Sequence, residues 1–169
     1  MSLAQCFPPV VAADARLLIL GSMPGQASLC AHQYYAHERN AFWRIMGDLF
    51  GAGPDLPYAQ RLGKLQAAGV ALWDVMAACE RPGSLDADIV AASVQANDFA
   101  AFFAVNRRIS HVFFNGAAAE TAFRRLVLPT LDAGGLVLQR LPSTSPAHAA
   151  LAYDKKLAIW SQIISQANI

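Results

Sequence analysis

The residues able to do chemistry fall into three short segments. Gly21-Ser-Met-Pro-Gly25 combines two glycines with a proline. That composition lets the backbone turn sharply and approach a ligand closely, or simply leave a strand in a tight turn. It is neither the phosphate loop G-x-x-x-x-G-K-[ST] nor the G-x-G-x-x-G dinucleotide fingerprint. Gln33-Tyr-Tyr-Ala-His-Glu-Arg-Asn-Ala-Phe-Trp43 places two tyrosines, a histidine, an arginine and an asparagine just before a helical pattern. An aromatic beside polar donors is what a site needs to hold a flat heterocycle by stacking. Core packing accounts for the tyrosines equally well, and Asn40 reads as readily as the N-cap of the following helix. Leu141-Pro-Ser-Thr-Ser-Pro-Ala-His148 offers small hydroxyls and backbone N–H groups. At a helix N-terminus these suit a phosphate, and they equally form an ordinary serine-rich cap.

Four apolar runs must position these segments. Residues 16–21, 69–74, 111–116 and 136–141 each read as a buried strand, several ending on glycine. Between and after them lie helical patterns at 41–50, 58–68, 86–105, 117–126 and 147–163, with Asp86 as N-cap of the third and the last opened by the serine-rich segment. Strands alternating with helices predict an α/β fold, a three-layer α/β/α arrangement with a central, mostly parallel four-stranded sheet. Ligands in such sheets bind at the carboxyl ends of the strands. Those ends hold Gly21 to Gly25, Trp73-Asp74, Asn115-Gly116 and Leu141 to Pro146, so the unusual residues converge there.

Composition bounds the rest. The chain has 169 residues, 55% hydrophobic and only 15% charged, which fits one domain over 1–169 with a heavily buried interior. No uncharged apolar run approaches the roughly 18 residues of a membrane span. Residues 1–14 lack the basic start and long apolar stretch of a signal peptide. The three cysteines are widely spaced with no C-x-x-C pair, so a reducing, cytoplasmic interior is expected, with no metal site. Net charge is +1, and composition by itself does not announce nucleic-acid binding.

Taken together, and over nearly the whole chain, the three segments resemble the uracil-DNA glycosylase superfamily. Its mismatch-specific branch carries G-x-N-P-G and then F-A-H-P-x-N-x-F-W; the counterparts here are Gly21-Ser-Met-Pro-Gly25 and Tyr35-Ala-His-Glu-Arg-Asn-Ala-Phe-Trp43. Pro142-Ser-Thr-Ser145 is similar to the P-S-S-S of thymine-DNA glycosylases. With Trp73-Asp74 and Glu80-Arg-Pro-Gly-Ser-Leu-Asp86, the best match is the hypoxanthine-DNA glycosylase branch, family six. Met23 departs from the Asp or Asn that relatives use to place the attacking water, and a thioether cannot do that work. Glu38 stands where the family usually has proline.

The resemblance implies a monofunctional glycosylase acting on a flipped, deaminated base, hypoxanthine or uracil, with DNA as partner and no cofactor. It moves the catalytic amide to Asn40. Tyr35 would stack on the base, while Gly21, Ser22 and Met23 line its pocket. Asp74 would accept from the N1–H of hypoxanthine, or else cap the following segment. His37 would donate to the leaving base, or serve as a structural imidazole. Gly25, Ser143, Thr144 and Ser145 would meet flanking phosphates, and His148, near a loop tip, would help fill the gap left by the flipped nucleotide. No lysine falls in these motifs, so Schiff-base lyase chemistry is not expected. A monomer on the nucleoid is the expected working form. Two rivals stand beside this reading. One is a serine hydrolase using Ser22, Ser143 or Ser145 with a histidine, although the G-x-S-x-G elbow is absent. The other is a non-catalytic nucleic-acid or nucleotide-binding module on the same fold, which Met23 leaves open.

Overall fold

The computed structural model describes residues 3–169; Met1 and Ser2, included in the expected 1–169 domain, lie outside the described residues. In chain order the elements are β1 (Leu3–Gln5), β2 (Leu17–Gly21), α1 (Gln26–Ala31), α2 (Phe42–Phe50), α3 (Tyr58–Ala67), β3 (Val70–Asp74), β4 (Met76–Glu80), β5 (Gln95–Ala96), α4 (Phe99–Val105), β6 (His111–Asn115), α5 (Ala117–Ala122), β7 (Val137–Leu141), α6 (Tyr153–Trp160) and α7 (Gln162–Gln166).

The four expected strands are β2, β3, β6 and β7, and they form one parallel sheet in the order β3-β2-β6-β7. Every residue of β2 and β3 is buried, which is why these strands read as unbroken apolar runs rather than as alternation. Their side chains still alternate in direction. Leu18, Leu20, Trp73 and Phe114 join one apolar cluster with Phe99, Phe102 and Phe123. Leu17, Ile19, Leu72 and Phe113 join another with Phe42, Trp43 and Trp160. The two clusters lie on opposite faces of the sheet, α4 and α5 covering one and α2, α3, α6 and α7 the other. The result is the three-layer α/β/α architecture.

A second, antiparallel sheet of order β1-β4-β5 was not legible in the sequence. Its strands are two to five residues long and too mixed in polarity to show a period. It braces the chain leaving β3, and an isolated bridge from Val10 to Leu72 ties the N-terminal segment to β3 itself.

Two helical expectations are corrected. The pattern at 86–105 yields a helix only over Phe99–Val105, capped by Asp98, whose carboxylate accepts from the Ala101 N–H at 3.0 Å. Before Phe99 the segment is alanine-rich and exposed, with no large apolar stripe to bury, and it forms two short 3-10 turns instead. Asp86 caps nothing there; its carboxylate is taken by Ser22. The last helix begins at Tyr153 rather than 147 and breaks at Ser161, so the serine-rich segment does not open it. Residues 147–150, three alanines and His148, are exposed, and Ser143 and Ser145 turn the chain on itself through their own hydroxyls. No helix among the described residues is long and apolar enough to cross a membrane.

Candidate active site

The carboxyl ends of the four parallel strands enclose a cavity of about 260 Å³. Gly21 ends β2, Asp74 ends β3, Asn115 ends β6, and Ser143 follows β7; all four line it. Tyr35, His37 and Asn40 form another wall from the segment before α2. The cavity thus gathers Gly21, Ser22, Met23, Gly25, Ser143, Thr144 and Ser145 with these residues, and leaves out His148.

Gly21 is where backbone meets side chain most closely. A Cβ there would stand 2.5 Å from Asp74 Oδ1 and 3.1 Å from the Tyr35 hydroxyl, so any larger residue displaces both. Asp74 itself is 3% exposed, and its Oδ2 has no hydrogen-bond partner among the described residues. Burial pushes the carboxyl up to about 7; the nearby Arg81 cation pulls it down, and Asp86 adds to the rise. The structural alternative for Asp74, capping the next segment with its side chain, finds no such bond. Its backbone carbonyl, not its carboxylate, accepts from Asn97 Nδ2 at 2.8 Å.

Tyr35 adopts a left-handed backbone (φ 55°), an uncommon conformation for an aromatic residue that costs on the order of 1–2 kcal/mol. Its ring stacks on Phe42, with centroids 3.9 Å apart and planes at 26°. Its hydroxyl is buried with no hydrogen-bond partner among the described residues, and burial, followed by the Asp74 charge, holds it well above the ordinary phenol range. Phe42 is therefore part of the site one layer back. Tyr34, by contrast, is core, its hydroxyl donating to the Pro8 carbonyl at 2.9 Å.

Asn40 stands one residue before the N-cap of α2, which is Ala41 rather than Asn40 as expected. Its Oδ1 accepts from the Phe42 N–H at 2.9 Å, satisfying a free donor at the start of α2, while the residue also lines the cavity. His37 Nδ1 accepts from the Arg39 N–H at 3.1 Å. That bond places the proton of the neutral ring on Nε2, so the imidazole is a donor on its other side. Met23 is 7% exposed and packs into the apolar cluster beneath the turn. It forms cavity wall but offers no polar atom.

The serine-rich loop is pinned from several sides. Thr144 is 1% exposed; its Oγ1 accepts from Asn115 Nδ2 and its N–H donates to Asn115 Oδ1, both at 2.9 Å. Its carbonyl accepts from the Ala41 N–H, and the Pro142 carbonyl accepts from Trp160 Nε1 at 2.9 Å. Thr144 therefore fastens the loop, its side chain buried in this clamp. Ser143 and Ser145 remain partly exposed. His148 is exposed, and its carbonyl accepts from Lys156 Nζ at 3.1 Å.

Four contributors were missed in the sequence. Asn115 is the clamp just described, and its only signal was its place at a strand end. Arg81 is buried, and one guanidinium nitrogen donates to the Pro24 carbonyl while Nε and Nη1 are unpartnered among the described residues. Asp86 and Ser84 hold the 81–88 segment against the first turn, through Ser22 Oγ (2.6 Å) and the Gln26 N–H (2.9 Å). Since Ser22 Oγ donates to a carboxylate and no hydrogen bond joins Ser22, Ser143 or Ser145 to a histidine among the described residues, the geometry gives the serine-hydrolase reading no nucleophile–base pair.

The chain that builds this pocket also matches known proteins in sequence and fold. The model of the Uracil DNA glycosylase superfamily matches residues 8–164. The chain belongs to that superfamily. A superfamily relative from Methanosarcina acetivorans, named Hypoxanthine DNA glycosylase, is 32% identical over 151 residues, 89% of this chain and 91% of its own. One of the same name from Methanosarcina barkeri is 38% identical over 113 residues, 66% of this chain and 70% of its own. The solution NMR structure of a Methanosarcina acetivorans protein, described provisionally as a uracil DNA glycosylase, superposes with a TM-score of 0.81 at 29% identity, covering 99% of this chain and all of that one.

Proposed function

We propose that this protein is a monofunctional DNA glycosylase that hydrolyses the N-glycosidic bond of deaminated bases, hypoxanthine foremost and uracil second. The observation that carries the reading is the buried, unpartnered Asp74 oxygen in the pocket wall. Deamination turns N1 of adenine from an acceptor into the N1–H donor of hypoxanthine. A carboxylate accepts from that N–H and repels the lone pair of the undamaged base. The two relatives named hypoxanthine DNA glycosylase support the same substrate.

With the nucleotide flipped into the cavity, Tyr35 stacks on the base and Phe42 backs the ring. The bond from C1′ to the base breaks with its electron pair leaving on the base, and positive charge builds on the sugar. His37 donates from Nε2 toward the departing base. Asn40, oriented by the bond from Phe42, uses its remaining amide valences to hold the water whose oxygen bonds C1′, and the proton that water loses ends on the departing base. Gly21, Ser22 and Met23 close the wall. The N–H groups near Gly25 and the hydroxyls of Ser143 and Ser145 meet the flanking phosphates, with Thr144 holding their loop in place. His148, outside the cavity, fills the gap in the base stack. No lysine lines the cavity, which favours hydrolysis over Schiff-base lyase chemistry. The protein acts as a single-domain monomer on DNA in the cytoplasm, at the nucleoid.

The test is an excision screen with duplexes carrying deoxyinosine, deoxyuridine or deoxyxanthosine. Hypoxanthine release without added metal is expected. Tight binding to these duplexes with no base released, with or without magnesium, would instead make the protein a non-catalytic binding module, which the apolar Met23 would then explain.

A further inference from the structure

Beside the cavity runs a second depression, about 540 Å³, that the proposed chemistry does not use. It opens off the active site across Tyr35, His37 and Asn40, which line both. Its far walls carry Gln33, Arg39, Arg44, Trp43 and Arg61. The three arginines are unlike the others that pair. Glu120 engages Arg124 and Arg140, whereas among the described residues no carboxylate pairs with Arg39, Arg44 or Arg61.

Two of them are held by aromatic faces instead. The Arg44 guanidinium lies 3.6 Å from the centroid of the Tyr153 ring. That of Arg61 lies 5.0 Å from the Trp43 ring and 5.4 Å from the Tyr58 ring, with its Nε donating to the Leu56 carbonyl at 3.0 Å. Stacking of this kind fixes the position of a guanidinium and leaves its charge uncompensated. One acidic residue, Glu38, lines the groove, and Asp48 stands behind Arg44 as acceptor from the Tyr153 hydroxyl. The groove therefore gathers three cations and one anion in a chain whose net charge is only +1.

We propose that this groove binds the sugar–phosphate backbone of the damaged strand, on the side of the flipped nucleotide that leaves the active site past Asn40. The inference rests on the glycosylase reading for the identity of the strand. A nucleotide seated in the cavity must have backbone running out of it on both sides. Ser143 and Ser145 stand on one side, and the arginine groove continues from the wall formed by His37 and Asn40. Phosphates are the ligands that fixed, unpaired guanidinium groups suit, through charge and paired N–H donors. DNA affinity then comes from a local track rather than from overall charge.

The experiment measures binding of a duplex carrying 2′-fluoro-deoxyinosine, whose fluorine slows bond cleavage, across a salt series. Arg39→Gln and Arg44→Gln should each weaken binding about three- to tenfold at moderate salt and lower the steepness of log K against log salt by about 0.9. Arg107→Gln, the same charge change in the turn before β6 at the other end of the sheet, serves as control and should do neither. A methylphosphonate scan then locates the contact. A neutral linkage next to the lesion on the damaged strand should weaken the parent protein and have little further effect on Arg39→Gln. Groove variants indistinguishable from Arg107→Gln overturn the proposal, as does sensitivity confined to the complementary strand. Base release is scored separately: groove-dependent binding with no excision would end the glycosylase reading and leave the groove standing.

Discussion

Asp74 presses one oxygen toward the Gly21 backbone and leaves the other free, so its ionisation is coupled to both stability and recognition. In the folded protein its carboxyl titrates near 7 rather than at 3.8. Between those values the folded state holds a proton that the unfolded chain has lost. Stability from this group should therefore fall as pH rises from about 4 to 7, by up to about 1.4 kcal/mol per unit, and level off above. Asp74→Asn removes that slope, which melts at pH 5 and pH 8 will read. If Asp74 reads the base as proposed, hypoxanthine excision has the opposite dependence, since it then needs the carboxylate. Single-turnover rates should climb through about pH 7 for the parent, and the variant should be slower with that step gone. Identical profiles would exclude Asp74 from base reading. Asn40 separates capping from catalysis in a similar way. Asn40→Ser keeps an acceptor for the Phe42 N–H and should melt like the parent, whereas Asn40→Ala should cost about 0.5–2 kcal/mol. Both should cleave on the order of a hundredfold more slowly. A serine variant cleaving at the parental rate would make Asn40 a cap only.

Among the elements, the loop after β7 matters for how it is tied. Asn115 spends both ends of its amide on Thr144, joining the end of β6 to the serine-rich loop. Asn115→Ala leaves a buried N–H and a buried hydroxyl unpaired, and should cost on the order of 1–3 kcal/mol. If the clamp also presents Ser143 and Ser145 to DNA, the same variant should weaken binding more than it slows cleavage at saturating enzyme. Asn115→Asp retains an acceptor for both groups and should recover most of the melting temperature; failure to recover would put the role of Asn115 elsewhere. The clamp was illegible in the sequence because neither residue belongs to a periodic pattern and their contact spans 29 positions. The strands β2, β3 and β6 were legible for the opposite reason, since burial on both faces demands a nearly unbroken apolar run, whereas the edge strand β7 carries Gln139 and Arg140. The 86–98 stretch misled because alanine favours helix locally, while only the phenylalanines from Phe99 onward give a helix something to bury.

At the scale of the whole molecule, the sheet separates two apolar clusters that share a backbone but few side-chain contacts. Ile109→Val on one face and Ile163→Val on the other should each cost about 0.5–1.5 kcal/mol, and the double variant should equal their sum within about 0.5 kcal/mol. Chemical denaturation would show it, and a marked departure would mean that the layers are coupled through the sheet. The convergence of motifs at one end of that sheet was readable before any coordinates, because strand-end placement follows from βα alternation alone. The groove beside it was not. Arg39, Arg44 and Arg61 come from a loop and two helices, and in a chain of near-neutral charge nothing marks them as neighbours.

If the buried carboxyl at the end of β3 reads the base as proposed, lesion binding is also a proton-exchange reaction. Below neutrality the empty pocket stores a hydrogen ion on Asp74, and a base offering an N–H to that oxygen must drive it out. At pH 6 lesion binding should therefore release protons to the solvent. The heat of that release would appear as a difference in binding enthalpy between phosphate and Tris, two buffers that take up a proton with very different enthalpies. Undamaged duplex, with nothing to deliver to the pocket, should show no such difference.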